Sequence, residues 1–223
     1  MSDSQTDLQA IASGIIQRLD ILNAARDRAL NEGRQIVRLS ANTVRAIHRG
    51  ELDQASALLA EARSLLAALV EHLQPYPVLH WAGYVQDAMK EYAEASTMLA
   101  IVQGSPIPPP EELGVEDAPY LNALAEAASE LRRQILDLLR AGDVARAEHF
   151  LAVMDEIYDV LIAVDFPEAI TGGLRRTTDQ LRGVLERTRG DVTMTLTQQR
   201  LQRQLAETRA AIGDDEDDDE DDD

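Results

Sequence analysis

The sequence contains no cysteine, which removes disulfides, thiolate metal ligands and cysteine nucleophiles together, so any metal it holds must sit on oxygen or imidazole. Lys90 is its single lysine among 21 basic residues, and aromatics make up only 4%. No apolar run approaches the ~18 residues that a membrane helix needs. The opening Met1-Ser2-Asp3-Ser4-Gln5-Thr6-Asp7 also lacks the basic-then-apolar order of a secretory leader. These absences lead us to expect a cytoplasmic protein with no membrane association. No Gly/Ser-rich linker divides the 223 residues, of which 45% are apolar, so we expect one α-helical domain over 1–212.

Positive charge is also scarce. Forty acids face 21 bases, for a net charge of −19, and residues 214–223 are an unbroken acidic run. Without that run the body still carries 30 acids against 21 bases. A surface dense in carboxylates and almost free of lysine suits a salt-rich, halophilic cytoplasm, where counter-ions screen the self-repulsion. Residues 213–223 are expected to form a disordered acidic tail, because a block of like charge buries too little surface to fold.

What is present is helix-forming. Ala, Leu, Glu, Gln and Arg dominate, and these lose little freedom in a helix. Apolar residues recur at helical spacing from Leu8 to about Arg49, as one helix or two with a weak point near Gly33. Gly50 closes this stretch, and a second helix runs from Glu51 to about Gln74, before Pro75 and Pro77 stop it. Further helices are expected from about Val78 to Val102, from Pro119 to Arg140, from Val144 to Val164, from Pro167 to Arg189 and from Asp191 to about Ile212. Gly104-Ser105-Pro106 and Pro108-Pro109-Pro110 form a stiff connector, followed by a short helical turn near Glu111–Leu113. The fold class is therefore all-α, an antiparallel bundle of about seven helices.

Two helices each carry a carboxylate pair. Glu91 and Glu94 share a face with apolar Val85, Met98 and Ile101, and Glu126 and Glu130 lie one turn apart on a later helix among small alanines. Facing carboxylates inside a bundle can hold a hard cation such as Mg²⁺ or Mn²⁺. By spacing alone, in a chain with 40 acids, they read better as solvated residues. Arg34, Arg38, Arg45 and Arg49 form a stripe along the first helical segment, and Arg175, Arg176, Arg182, Arg187 and Arg189 form a second cluster after Gly172-Gly173. Guanidinium forks match phosphates, so both clusters are candidate nucleic-acid contacts, although neither is interleaved with aromatics. Exposed arginines paired with neighbouring acids would look the same. His48, His72, His80 and His149 show no metal-ligand spacing and are taken as surface or packing residues.

Several segments together resemble archaeal members of the translin and translin-associated factor X family. They include Leu39-Ser40-Ala41-Asn42 through Ile47-His48-Arg49-Gly50, Tyr84-Val85-Gln86-Asp87 leading to Glu91-Tyr92-Ala93-Glu94-Ala95, Pro119-Tyr120-Leu121, Asp155-Glu156-Ile157-Tyr158-Asp159 and Ala169-Ile170-Thr171-Gly172-Gly173-Leu174-Arg175-Arg176. With the composition, a haloarchaeal member is expected. The resemblance implies a translin-like helical bundle, assembly into a homo-oligomer (an octamer in the family), binding of single-stranded RNA or DNA, and Mg²⁺-dependent endoribonuclease activity in the factor X branch. It implies Glu91, Glu94 and Glu126 as catalytic residues. Glu94 and Glu130 are the first metal ligands it suggests, with Glu91 and Glu126 completing the cage. The family commonly has aspartate where Glu126 stands, and its arginine just after the second acid matches Arg132. Asp117 and Asp159 are second-rank acidic candidates. Two other functions fit the same residues: a non-catalytic translin-like binder, and a helical scaffold for proteins.

Overall fold

The structure, a computed structural model, describes residues 3–217 and the side-chain surroundings of 8–209. Among the described residues the regular elements are all helices: α1 (Asp3–His48), α2 (Leu52–Leu73), α3 (Pro77–His80), α4 (Gly83–Gln103), α5 (Pro110–Leu113), α6 (Asp117–Ala141), α7 (Val144–Ile162), α8 (Glu168–Thr171) and α9 (Leu174–Asp217). This is the expected all-α class. None of the helices is long and apolar enough to cross a membrane. Residues 218–223 of the expected acidic tail lie outside the described residues, and α9 reaches Asp217.

Three boundaries differ from those expected, each for a local reason. Residues 3–48 form one helix, because Gly33 is used for packing: a Cβ there would stand 3.4 Å from the Tyr84 carbonyl oxygen, so its absence lets α1 lie close against α4. The helix expected from Val78 is split into α3 and α4 at Trp81 and Ala82, and Ala82 is extended (ψ 141°). The two helices expected on either side of Gly190 are continuous in α9, whereas the real break lies earlier, at Gly172 and Gly173. Their φ values of 59° and 89° are ones that side-chain-bearing residues adopt only at a cost. One glycine inside a helix costs only about 1 kcal/mol. Buried Thr188 and Val192, with the ion pair between Arg132 and Asp191 (2.8 Å), hold α9 together across Gly190.

The expectation of antiparallel neighbours holds for α1–α2 and α6–α7 but fails for α4 and α6. The proline-rich connector 104–116 is long enough to carry the chain back to its starting end. It is pinned there by the Tyr120 hydroxyl, which donates to the Pro108 carbonyl at 2.9 Å. As a result α4 and α6 run parallel, with Lys90 beside Glu126 and Gly83 on the same cleft as Ala118. Helix α9 is parallel to α6 as well, since Asn122 meets Thr177 and Arg132 meets Thr188. The N-terminal ends of α4, α6 and α9 are thereby gathered at one end of the bundle. The core below them is built from Met98, Leu131, Ile135, Met154 and Leu161 on one side and Ile36, Leu66, Leu69, Met89 and Tyr92 on the other, all nearly inaccessible.

Candidate metal centre and nucleic-acid cleft

Parallel packing of α4 on α6 brings two carboxylate-bearing faces together. Ala93, Ala95, Ala125, Ala127 and Ala128 are completely buried around them and leave room for longer side chains between. In that space Glu91, Glu94 and Glu126, all half-buried, each place a carboxylate oxygen within 4.8 Å of the others. Burial, then the negative charges of Glu91 and Glu126, push the Glu94 carboxyl up to about 8, with Glu130 adding to the effect and Lys90 opposing it. Lys90 supplies the local positive charge: its Nζ lies 2.6 Å from Glu126, 3.2 Å from Glu91 and 3.7 Å from Asp87. Burial disfavours its charge, but the bonds to Glu126 and Glu91 outweigh that and raise its pKa.

A trio of oxygen donors in which burial and then crowding raise the pKa of one carboxyl is a donor set that fits a hard divalent cation, whose charge would relieve the repulsion. Glu130, expected as a leading ligand, lies outside the trio. His48, whose side chain is only 2% exposed, hydrogen-bonds it through Nε2. The Gln134 amide donates to His48 Nδ1 at 3.0 Å, which leaves the proton on Nε2 for Glu130. The bond to His48 is the main reason that the Glu130 carboxyl is held below its ordinary range, burial acting against it. The sequence reads this histidine as a surface or packing residue, and nothing in it connects positions 82 residues apart. Asp117 is exposed at the start of α6 and Asp159 is exposed on α7; neither belongs to the trio. Arg132 points away to α9, donating to Thr188 at 3.0 Å and pairing with Asp191.

Glu126 of the trio borders a cleft of about 850 Å³ at the gathered helix ends. Lys90 and Glu126 form part of its wall, Gly172 and Gly173 another part, and Arg176 and Gln180 of α9 a third. Asn122 fixes the glycine turn to α6, donating to the carbonyls of Ala118 and Thr171 at 2.8 Å each while accepting from the Thr177 hydroxyl at 2.7 Å. All nine arginines of the two expected clusters are exposed, but only Arg176 lines this cleft. Arg175 joins it in a smaller neighbouring cleft of about 430 Å³. Arg49 is engaged with Glu51 at 2.8 Å, Arg182 with Asp179 at 3.8 Å, Arg189 with Asp155, and Arg45 with the Asn42 side chain at 2.8 Å. Arg34, Arg38, Arg175, Arg176 and Arg187 have no ion pair among the described residues. The sequence also gave no reason to single out Trp81, which lies in the α3–α4 bend, lines the cleft and is 63% exposed.

The bundle, with α4, α6 and α9 parallel and carboxylates facing between its helices, is all-α and matches the translin-like fold of C3PO. Solved structures agree. AfC3PO in complex with duplex RNA superimposes with a TM-score of 0.79 at 33% identity, over 83% of this chain and 96% of that one. AfC3PO alone gives 0.78 at 33% identity, over 83% of this chain and 97% of that one. The chain belongs to the C3PO family. Apo-NeC3PO shares the fold, with a TM-score of 0.75 at 20% identity over 82% of this chain and 96% of that one. An uncharacterized protein of Methanocaldococcus jannaschii is 29% identical over 180 residues, 80% of this chain and 79% of that protein. No family model matches the sequence.

Proposed function

We propose that this protein binds RNA in the cleft at the α4–α6–α9 end and hydrolyses its phosphodiester backbone, as an endoribonuclease dependent on Mg²⁺ or Mn²⁺. The observation that carries this function is the placement of Glu91, Glu94 and Glu126 within 4.8 Å of one another, with Glu126 itself at the wall of a cleft that also holds Arg176. That AfC3PO has been solved with duplex RNA supports a nucleic acid as the ligand. A single strand, RNA or DNA, is the form we propose for this chain. Glu91, Glu94 and Glu126 would hold the cation, with Glu130 and His48 bracing the site from behind. The cation supplies positive charge against the phosphate and makes water more acidic. Arg176, without an ion pair among the described residues, would orient the phosphate with its planar fork. Lys90 would balance the carboxylates until the cation and substrate enter, and Glu94, whose carboxyl is pushed up to about 8 in the metal-free site, would give up its proton to hold the cation.

We further propose a homo-oligomer, with an octamer as the form taken from the family resemblance. The exposed stripe Leu8, Ile11, Ile15 and Leu19, on the part of α1 that outruns α2, supports assembly of copies. A halophilic, haloarchaeal source remains our proposal from composition.

A non-catalytic binder is favoured by a different observation: Lys90 already fills the carboxylate cluster with a cation, and His48 occupies Glu130. The two are separated by cleavage of a labelled single-stranded RNA in about 1 M KCl, where long-range repulsion is screened. The assay compares Mg²⁺ or Mn²⁺ with EDTA, for wild type and Glu91→Ala/Glu94→Ala. An enzyme cuts only as metal-loaded wild type. If neither protein cuts while both bind, the protein is a binder and the proposed chemistry is wrong.

A further inference from the structure

The cleft contains one feature that phosphate binding and metal binding leave unused. Trp81 is the chain's single tryptophan, and in a protein with 4% aromatics it stands 63% exposed at the cleft wall rather than in the core. An exposed indole offers a partner a large, flat apolar face.

The ring is also built into place. Trp81 lies in the bend between α3 and α4, after Pro75 and Pro77 have stiffened the chain. His80 meets it edge-on, with ring centroids 5.1 Å apart at 83°. His80 is itself held: its Nε2 lies 2.8 Å from Glu116 at the start of α6, and its carbonyl accepts from Gln86 Nε2 at 2.9 Å. An edge-on neighbour steadies a ring while leaving its faces open to a further partner. Ile170, also 63% exposed, is the other large apolar side chain lining the same cleft.

Around these apolar groups stand Arg176, without an ion pair among the described residues, and Gln180, whose amide offers both a donor and an acceptor. Gly172 and Gly173 present bare backbone there. Flat apolar surface, amide edges and a guanidinium fork within one cleft match the three parts of a nucleotide: base face, base edge and phosphate.

We propose that Trp81 is the stacking platform for one unpaired RNA base, seated between Trp81 and Ile170, which sets the strand against the carboxylates. This assignment rests on the RNA-binding function proposed above and makes it more specific, because a base inside a helix has both faces covered by its neighbours, whereas an unpaired one can turn a face to the ring. The substrate class is accordingly RNA with an unpaired nucleotide at the cleft, and Trp81 is a positioning residue, since it touches the base and not the scissile phosphate.

A single tryptophan permits a direct test on the full-length protein in EDTA, which prevents cutting. Binding of a fluorescein-labelled oligouridine is followed by anisotropy, and tryptophan emission is followed separately with the unlabelled strand. Saturating oligouridine is expected to quench the emission, and an abasic strand of equal length to leave it unchanged. Trp81→Ala is expected to weaken binding roughly 5- to 150-fold, the range for loss of one stacked base, and Trp81→Phe to restore most of it. Because the side chain is exposed, both variants should fold, which circular dichroism checks. If anisotropy reports binding while emission is unmoved and Trp81→Ala binds as wild type does, the platform is refuted and RNA binding stands. The platform also falls if the abasic strand quenches as strongly. If anisotropy shows no binding at any salt concentration, both assignments fall.

Discussion

Replacing Glu94 by glutamine is expected to stabilise the cation-free protein at alkaline pH and to leave it unchanged at acid pH. The glutamine keeps the shape of the side chain and removes its charge. Burial first, then Glu91 and Glu126, move the folded-state carboxyl from 4.5 up to about 8. Below the lower value the folded and unfolded chains both hold the proton, and the group makes no difference to stability. As pH rises between the two values, the unfolded chain releases a proton that the folded chain keeps, so stability falls; above about 8 the whole cost is in place. At about 1.4 kcal/mol per pH unit, the displacement amounts to on the order of 3–5 kcal/mol, and water reaching the half-buried side chain favours the lower end. For a domain of this size that is roughly 10 °C in melting temperature, at about 2–4 °C per kcal/mol. Urea unfolding of wild type and Glu94→Gln in EDTA, at about pH 5, 7 and 9 and constant salt, measures the difference. The two stabilities should meet at the acid end and separate toward the alkaline end. Adding Mg²⁺ or Mn²⁺ should then raise wild type toward the variant, because a bound cation replaces the proton. Parallel curves across the whole range would show that the carboxylates are not crowded, and the basis for a cation there would be lost.

Two glycines test the fold that positions this site. At Gly33, alanine should be tolerated within about 1 kcal/mol of wild type, because a Cβ meets only the Tyr84 carbonyl oxygen at 3.4 Å and Ala88 at 3.8 Å, while its helix propensity is better. Gly33→Leu should cost roughly 1–3 kcal/mol by pushing α1 off α4, read by chemical denaturation. Gly190→Ala should stabilise by about 0.5–1 kcal/mol with RNA binding unchanged, since no atom lies within 4 Å of the new Cβ and the residue is in mid-helix. A loss of stability there would show that α9 breaks at Gly190.

Helical periodicity and punctuation were enough to find the α1–α2 and α6–α7 turns, because Gly50 and Gly142 end helices in backbone terms that depend on the residue itself. They could not show that α9 runs through Gly190, since that continuity comes from Thr188, Val192 and Asp191 packing on other helices. They also could not show that α4 and α6 are parallel, because a connector's length says only that the chain can return, not that it does. The carboxylate pairs were visible as i, i+3 and i, i+4 spacings, and the family resemblance gave them a purpose. Which acids actually meet was not visible: Glu126 reaches Glu91 and Glu94, while Glu130 is taken by His48, and both outcomes depend on helix rotation at the level of one turn. Lys90 beside Glu91 was evident, but its bond to Glu126, 36 residues on, was not.

Charge and site composition are connected. At a net charge of −19 the protein repels a nucleic acid at long range in dilute buffer, where the Debye length is about 10 Å, and much less at about 1 M salt, where it is about 3 Å. The same salt weakens each arginine–phosphate contact, since counter-ions no longer gain by being released. A site working under those conditions gains little from an arginine track, and several arginines of the two clusters are in fact committed to Glu51, Asp179 and Asp155. In the salt-rich cytoplasm proposed from composition, affinity would come from interactions that salt leaves intact: stacking on an aromatic face, amide hydrogen bonds, and close approach of bare backbone. The cleft offers each of these in Trp81, Gln180 and Gly172–Gly173, beside a single unpaired guanidinium at Arg176. An acidic surface and a cleft with few cations are therefore compatible with the RNA binding proposed above, and the exposed tryptophan is the residue on which that proposal puts the affinity.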